Sequence, residues 1–356
     1  MRSIYTNFAN DLHLFRPCKV SNSQQIMQKS AKKTLKILLP ILLGCTILWW
    51  MYREFDFRRI ADTLIHDMNW WWMAFSLVFG VTAQVFRGLR WQQTLAPLGE
   101  KPRRSTCIHA IFLSYASSLI IPRIGEVTRC GVLNRYEGTS FSKSLGTVIT
   151  ERIIDSILLL TIVVVVVLSQ LGIFSHFFQQ TGLNISETLR SFTTTGYIVT
   201  ALLLLITVTF LYFILRKFTV PTKIRKMASD IKAGILSLRD VENKPLFVIY
   251  TLGIWVSYFL HFYLTFYCFS FTADLGPQVA LVAFIVGSIA VIVPTPNGLG
   301  PWHFAVKTIL VLYGVAAVHA ETFVLIVHSI QTALIPLLAV FSLIVLKKKS
   351  NQHIIS

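Results

Sequence analysis

Charged residues set in otherwise apolar sequence are where this chain could do chemistry. Pro122-Arg123-Ile124-Gly125-Glu126-Val127-Thr128-Arg129 interrupts one apolar run. Glu126 and Arg129 stand three apart, so on a helix they share a face and can pair. Ser144, Thr147, Glu151 and Asp155 recur at helical spacing where another apolar run begins, with Arg152 beside them. Such groups are expensive against hydrocarbon and are functional candidates by default. They should face Arg123, Arg129 or a water-filled cavity. The competing reading is an ion-pair network that only pins neighbouring helices. Gln84, Arg87 and Arg90 end a third apolar run. Arg87 is a candidate to face the cavity, whereas Arg90 reads as a side chain snorkelling to lipid phosphate.

The other break runs from Pro294 through Pro296, Asn297, Gly298, Gly300 and Pro301 to His303. Its glycines permit close backbone approach, and Pro301 suits a first helical position. A half-helix starting there would aim free N–H groups at an anion such as phosphate. His303 lies in its first turn, where the helix dipole favours the neutral ring, so it would hydrogen-bond a head group. Alternatively, the glycines serve only helix packing. His109, His261 and His328 lie in apolar runs and read as satisfied core histidines.

No catalytic residue is assigned. HExxH, GxSxG, P-loop and GxGxxG patterns are absent from the sequence. The paired carboxylates Glu151 and Asp155 neighbour arginines that keep them ionised, which makes a poor general acid. The cysteines Cys18, Cys45, Cys107, Cys130 and Cys268 form no CxxC pair, so neither a disulfide framework nor a metal is expected. No cofactor is expected either.

The elements that must hold these groups are membrane helices. Of the 356 residues 54% are hydrophobic and only 14% charged, against about a quarter charged in an average soluble domain. The net charge of +17 sits in a few loops and at the ends, the pattern of cytoplasmic loops and not of a nucleic-acid surface. Six stretches are long enough to span: Leu35–Tyr52, Trp70–Arg90, Ser144–Leu171, Gly196–Leu215, Pro245–Phe271 and Glu321–Leu346. Two others are broken. Thr106–Ile121 stops at Pro122, and Gln278–Val293 breaks at Pro294–Pro301 before resuming to Tyr313.

The distribution of Lys and Arg orients the spans. Lys29, Lys32 and Lys33, then Lys101, Arg103 and Arg104, then Arg216 to Lys226, then Lys347 to Lys349 should be cytoplasmic. The alternation closes if neither broken stretch crosses. The expected fold is therefore all-α integral membrane, with about six full spans and two re-entrant, broken helix pairs of opposite sense, inverted-repeat-like, and both termini inside. Ordinary short spans are the alternative.

Residues 1–33 read as a disordered basic segment, 34–346 as the polytopic domain and 347–356 as a basic tail. Met27 is the expected start, with 1–26 an extension. Residues 223–241 read as an amphipathic helix on the cytoplasmic leaflet; a plain connecting helix is the alternative.

At these residues the chain resembles the membrane region of lysylphosphatidylglycerol synthase/flippase proteins. The matching pieces are Arg87 to Trp91, Pro122 to Glu126 with Arg129, Glu151-Arg152 with Asp155, and Pro294 to Gly300. The resemblance implies a bacterial inner-membrane domain that moves lipids between leaflets. Its partner would be an anionic or aminoacylated phospholipid, bound by the motif residues with Pro294–His303 opposing them. The family often has a glycine where this chain has Asn297 and a glutamate where it has His303, which implies a different head-group preference. The full synthases also carry a soluble transferase domain; this chain ends after its last span, so lysyl transfer is not expected. A membrane-embedded lipid-modifying transferase and a non-catalytic partner of an envelope-synthesis enzyme remain alternatives, and self-association is open.

Overall fold

The computed structural model describes residues 42–53, 62–169 and 222–355. The N-terminal segment, the start of the first span, the fourth span Gly196–Leu215 and the loop before it lie outside the described residues. All regular structure among the described residues is helical. Its longer helices in chain order begin with α1 (Leu42–Tyr52), α2 (Trp70–Leu95), α3 (Arg104–Ile120), α4 (Gly125–Glu137) and α5 (Phe141–Ser169). There follow α6 (Thr222–Leu236), α7 (Lys244–Tyr263), α8 (Gly276–Ala290), α9 (Pro301–Leu312) and α10 (Ala317–Ile355).

By length and apolarity three described stretches can cross a membrane: Trp70–Leu98, Lys244–Cys268 and Ala317–Lys348. Local chemistry sets their ends. The Asn69 side chain caps α2 by accepting from the Trp71 N–H at 3.1 Å, and Asn243 caps α7 by accepting from Leu246 N–H at 2.9 Å. After α7 the backbone tightens over Leu264–Cys268 and is extended at Phe269, so the continuous helix of the expected span Pro245–Phe271 ends at Cys268. The basic tail continues α10 to Ile355.

The two sequence breaks are hairpin tips. Ile121, before Pro122, is extended, as the ring of a following proline requires, and this ends α3. Arg123 then turns the chain with φ 66°. α4 runs back along α3 until Glu137 meets Arg103 Nε at 2.8 Å and accepts from Thr106. Likewise α8 and α9 pack along each other across the turn that holds Pro294, Pro296 and Asn297.

The bases of the hairpins lie at opposite ends of α2. Asn69 N–H donates to Cys268 O at 2.8 Å, shortly before α8, while Gln92 donates to Pro102 O at 2.9 Å, just before α3. The 26 residues of α2 extend about 39 Å, while α4 and α9 each reach about 18–20 Å. Each hairpin thus covers half that length, and the tips touch: Arg123 Nη2 donates to Ile292 O at 2.8 Å.

The core is divided in the same way. Trp91, Leu95, Cys107, Ala110, Ile111, Cys130, Leu133 and Val148 form one cluster around the first hairpin. Phe262, Phe266, Phe269, Val282, Leu310 and Phe323 anchor another around the second, which takes in Met73 of α2 and Val166 of α5. α2 and α5 therefore belong to both halves. α6 lies on the first half, so tightly that a Cβ on Gly146 would stand 2.4 Å from Ile231 O. Thr150 also donates to the Gly234 and Ile235 carbonyls at 3.2 and 3.1 Å.

Candidate functional site

Three helices bring charge to one place between the half-cores. Arg129 of α4 meets Glu151 of α5 at 2.7 Å, and both side chains are buried. Arg90 of α2 reaches Asp155 at 2.8 Å and Glu151 at 3.6 Å. Arg87, one turn earlier, meets Asp155 at 3.2 Å. Arg152 pairs through Nε with Glu126 of α4, and both are part exposed. Arg129 also stacks its guanidinium 4.7 Å from the Trp91 ring, whose Nε1 donates to Thr147 at 2.9 Å.

This geometry corrects two expectations. Glu126 and Arg129 do not pair with each other: one turn of α5 presents Glu151 inward and Arg152 outward, and each α4 charge takes the nearer opposite. Arg90 does not snorkel; its side chain has 0% exposure. The first hairpin closes over this end of α2, and the two α5 carboxylates supply the countercharge that lipid phosphate was expected to give. Arg123 faces none of the acids and spends its donor on the opposite tip.

Beside the network lies a cavity of about 470 Å3. Arg87, Arg152 and Asp155 line it, together with Gln84, Tyr115 and Tyr258. Arg87 Nη1 donates to both phenol oxygens, at 2.5 Å to Tyr115 and 3.2 Å to Tyr258, and those oxygens are 2.7 Å apart. On the far wall stand Asn297, His261, His328, Gln331 and Thr332, with Trp255 and Trp302. Arg152 and Ser156 have a second aspect. They also border an open groove of about 450 Å3 with Glu126, Ile149, Ile153 and Ile157. Arg152 thus sits where a polar chamber meets an apolar surface.

Of the second break, Asn297 and the neighbouring Trp302 reach the cavity. The Asn297 backbone is left-handed at φ 49°, a region glycine enters freely and asparagine tolerates better than other side chains. Asn297 Nδ2 donates to Thr332 at 2.9 Å, a contact that a glycine there could not make. Gly298, Gly300 and His303 do not line the cavity. α1 covers the start of α9: a Cβ on Gly300 would stand 2.9 Å from Ile47 Cβ and 3.0 Å from Gly44 O. His303 is buried, accepts the Gly300 N–H at 3.4 Å and lies with its ring 4.5 Å from that of His328. The expected anion site at this helix start is therefore closed. Pro122 and Gly125 bracket the first tip, Pro294 and Pro296 lie in the second, and Pro301 opens α9.

His109 is a core histidine, 3.0 Å from Ser342. His261 and His328 are bonded too, to Ser76 and to the Asn297 carbonyl, yet both line the cavity. Tyr115, Tyr258, Gln331 and Thr332 did not stand out in the sequence. A signal was present: Tyr258 and His261 are three apart, and His328, Gln331 and Thr332 fall at spacings of three and four in an apolar run. Each set therefore puts its polar groups on one helix face. Among the described residues, no three His, Cys, Asp or Glu side chains gather to hold a metal ion.

A family model described as lysylphosphatidylglycerol synthase TM region matches residues 37–339. No curated protein and no solved structure matches the chain.

Proposed function

The chain belongs to the family of the lysylphosphatidylglycerol synthase TM region, and from that premise we propose that it carries a phosphate-bearing lipid head group between the two leaflets of a bacterial inner membrane. The family relates the chain to lipid handling in a membrane. The observation that supports transport is the position of Arg152 on the boundary between cavity and groove. A head group enters the polar chamber past Arg152 while its acyl chains stay on the ridge of Ile149, Ile153 and Ile157. The guanidinium is held to Glu126 through Nε, which leaves its terminal nitrogens to fork a phosphate. Glu126 competes for the same cation, so the ligand is held without being trapped.

In this reading the two hairpins are re-entrant elements of opposite sense. Irregular backbone at membrane depth is tolerated where protein buries it, and broken helices of opposite sense are a device of transporters. The exposed Trp70, Trp71 and Trp72 end of α2 lies at the outer interface, and the end near Lys101, Arg103 and Arg104 is cytoplasmic, as are both termini. No chemical step is invoked. Asp155, the cavity's carboxylate, is held by two arginines.

Exchange of labelled phosphatidylglycerol between the leaflets of liposomes tests the proposal. Arg152→Ala should slow exchange about tenfold or more, since a charge-assisted fork to phosphate is lost. It should barely alter the melting temperature, because exposed ion pairs contribute only about 0–1 kcal/mol. Equal exchange by the variant and the parent, or none by either, would overturn it.

A further inference from the structure

The charges around the cavity also bear on which head group it accepts. Four arginines, Arg87, Arg90, Arg129 and Arg152, meet three carboxylates, Glu126, Glu151 and Asp155. The network therefore carries one net positive charge. Both oxygens of Asp155 are engaged, Oδ2 by Arg87 and Oδ1 by Arg90. Glu151 is fully buried behind the wall between Arg129 and Arg90. Glu126 faces the groove and holds Arg152. An ammonium group in the chamber would find no carboxylate without an arginine on it.

The two phenol rings beside Arg87 do not offset this. Tyr115 and Tyr258 both accept from Arg87, and the Arg87 guanidinium already lies 5.9 Å from the Tyr115 ring centre. A second cation there meets a like charge, not a free π face. What the chamber does offer is neutral and matched to hydroxyls. Gln84, Tyr115, Tyr258, Gln331 and Thr332 line it. Trp255 Nε1 is a buried donor on the same wall with no partner among the described residues. Gln331 spends its Nε2 on the His261 carbonyl and Ser76, which leaves its carbonyl oxygen as an acceptor.

We infer that the site selects a lipid whose phosphate carries a neutral, hydroxyl-bearing unit, such as a polyol or sugar, and rejects lipids whose head group ends in an ammonium. The inference rests on the transport reading for the placing of the phosphate at Arg152. From there the unit beyond the phosphate extends into the chamber, and its hydroxyls exchange hydrogen bonds with the amides, phenols and indole. A site built to pair hydroxyls discriminates strongly, because its own polar groups are stranded when the hydroxyl is missing.

Lipid binding by the purified full chain in nanodiscs tests this with four probes: phosphatidylglycerol, phosphatidic acid, phosphatidylethanolamine and lysylphosphatidylglycerol. Phosphatidylglycerol should bind about tenfold or more tighter than each of the others. Gln331→Glu places a carboxylate free of arginine on the chamber wall, and should narrow or reverse the gap between phosphatidylglycerol and lysylphosphatidylglycerol. Lysylphosphatidylglycerol binding the parent as tightly as phosphatidylglycerol would overturn the charge argument. Phosphatidic acid binding as tightly would overturn the hydroxyl argument. Should Gln331→Glu fail to fold, the four-probe comparison on the parent still decides. Selective binding without leaflet exchange would remove the transport reading alone; exchange without selectivity would remove only this inference.

Discussion

Glu151→Ala should cost about 3–5 kcal/mol and leave little folded protein, the penalty for removing one partner of a buried ion pair. Glu151 is fully buried between Arg129 and Arg90. Without it, Arg90 keeps Asp155, but Arg129 is left charged against the Trp91 ring in the core of the first half. The charge cannot reach water, since the hairpin of α3 and α4 closes over it. Thermal melting in detergent measures the effect. The companion variant, Glu151→Leu with Arg129→Met, removes both charges and should recover most of the loss, because an apolar replacement of a whole buried pair is often neutral. Melting of Glu151→Ala at the parent temperature would show that the pair is not what holds this half together.

A comparable loss is expected from Gly125→Leu, by a different route. Gly125 opens α4 where it leaves the first tip, and its N–H donates to Ser118 Oγ at 3.2 Å. A Cβ there would stand 2.3 Å from the Ser114 carbonyl and 2.4 Å from Ser118 Oγ. Backbone carbonyls do not move aside, so the two arms of the hairpin must part. Overpacking of this kind costs about 1–3 kcal/mol or more. Because the tip also carries Arg123 to the opposite hairpin, leaflet exchange should fall to background along with the melting temperature. Gly131→Ala is the control: it lies on the same helix, and its Cβ would meet nothing within 4 Å. Replacing a mid-helix glycine by alanine at an open site should stabilise by about 0.5–1 kcal/mol. Indistinguishable behaviour of the two variants would contradict the packing described for the tip.

Both breaks and the acidic stripe of α5 were legible because their cause is local. Pro122 and Pro301 limit what the neighbouring backbone can do, and Ser144, Thr147, Glu151 and Asp155 share a helix face whatever that helix packs against. Partner choice was not local. That Arg90 meets Glu151 and Asp155, that Arg129 meets Glu151, and that Arg123 reaches Ile292 all depend on how helices far apart in sequence are laid together. The start of α9 is the clearest case. Pro301 and its preceding glycine correctly mark a helix beginning, but whether such an end faces a ligand or a neighbour depends on α1, more than 240 residues earlier. Other parts of the cavity wall were hidden for another reason: Tyr258, His261, His328 and Gln331 are single polar residues in apolar runs, individually unremarkable, and only their shared faces betray them.

The meeting of the two tips has an electrical consequence. Under the proposed arrangement the tips meet at membrane depth, where Arg123 donates to Ile292 O, so a head group passing them is inside the transmembrane field. A head group with one negative charge that crosses from leaflet to leaflet does work against the applied voltage, about 2.3 kcal/mol per 100 mV. Exchange of an anionic lipid in polarised liposomes should therefore become faster in one direction and slower in the other, while a net-neutral lipid should be indifferent to the field.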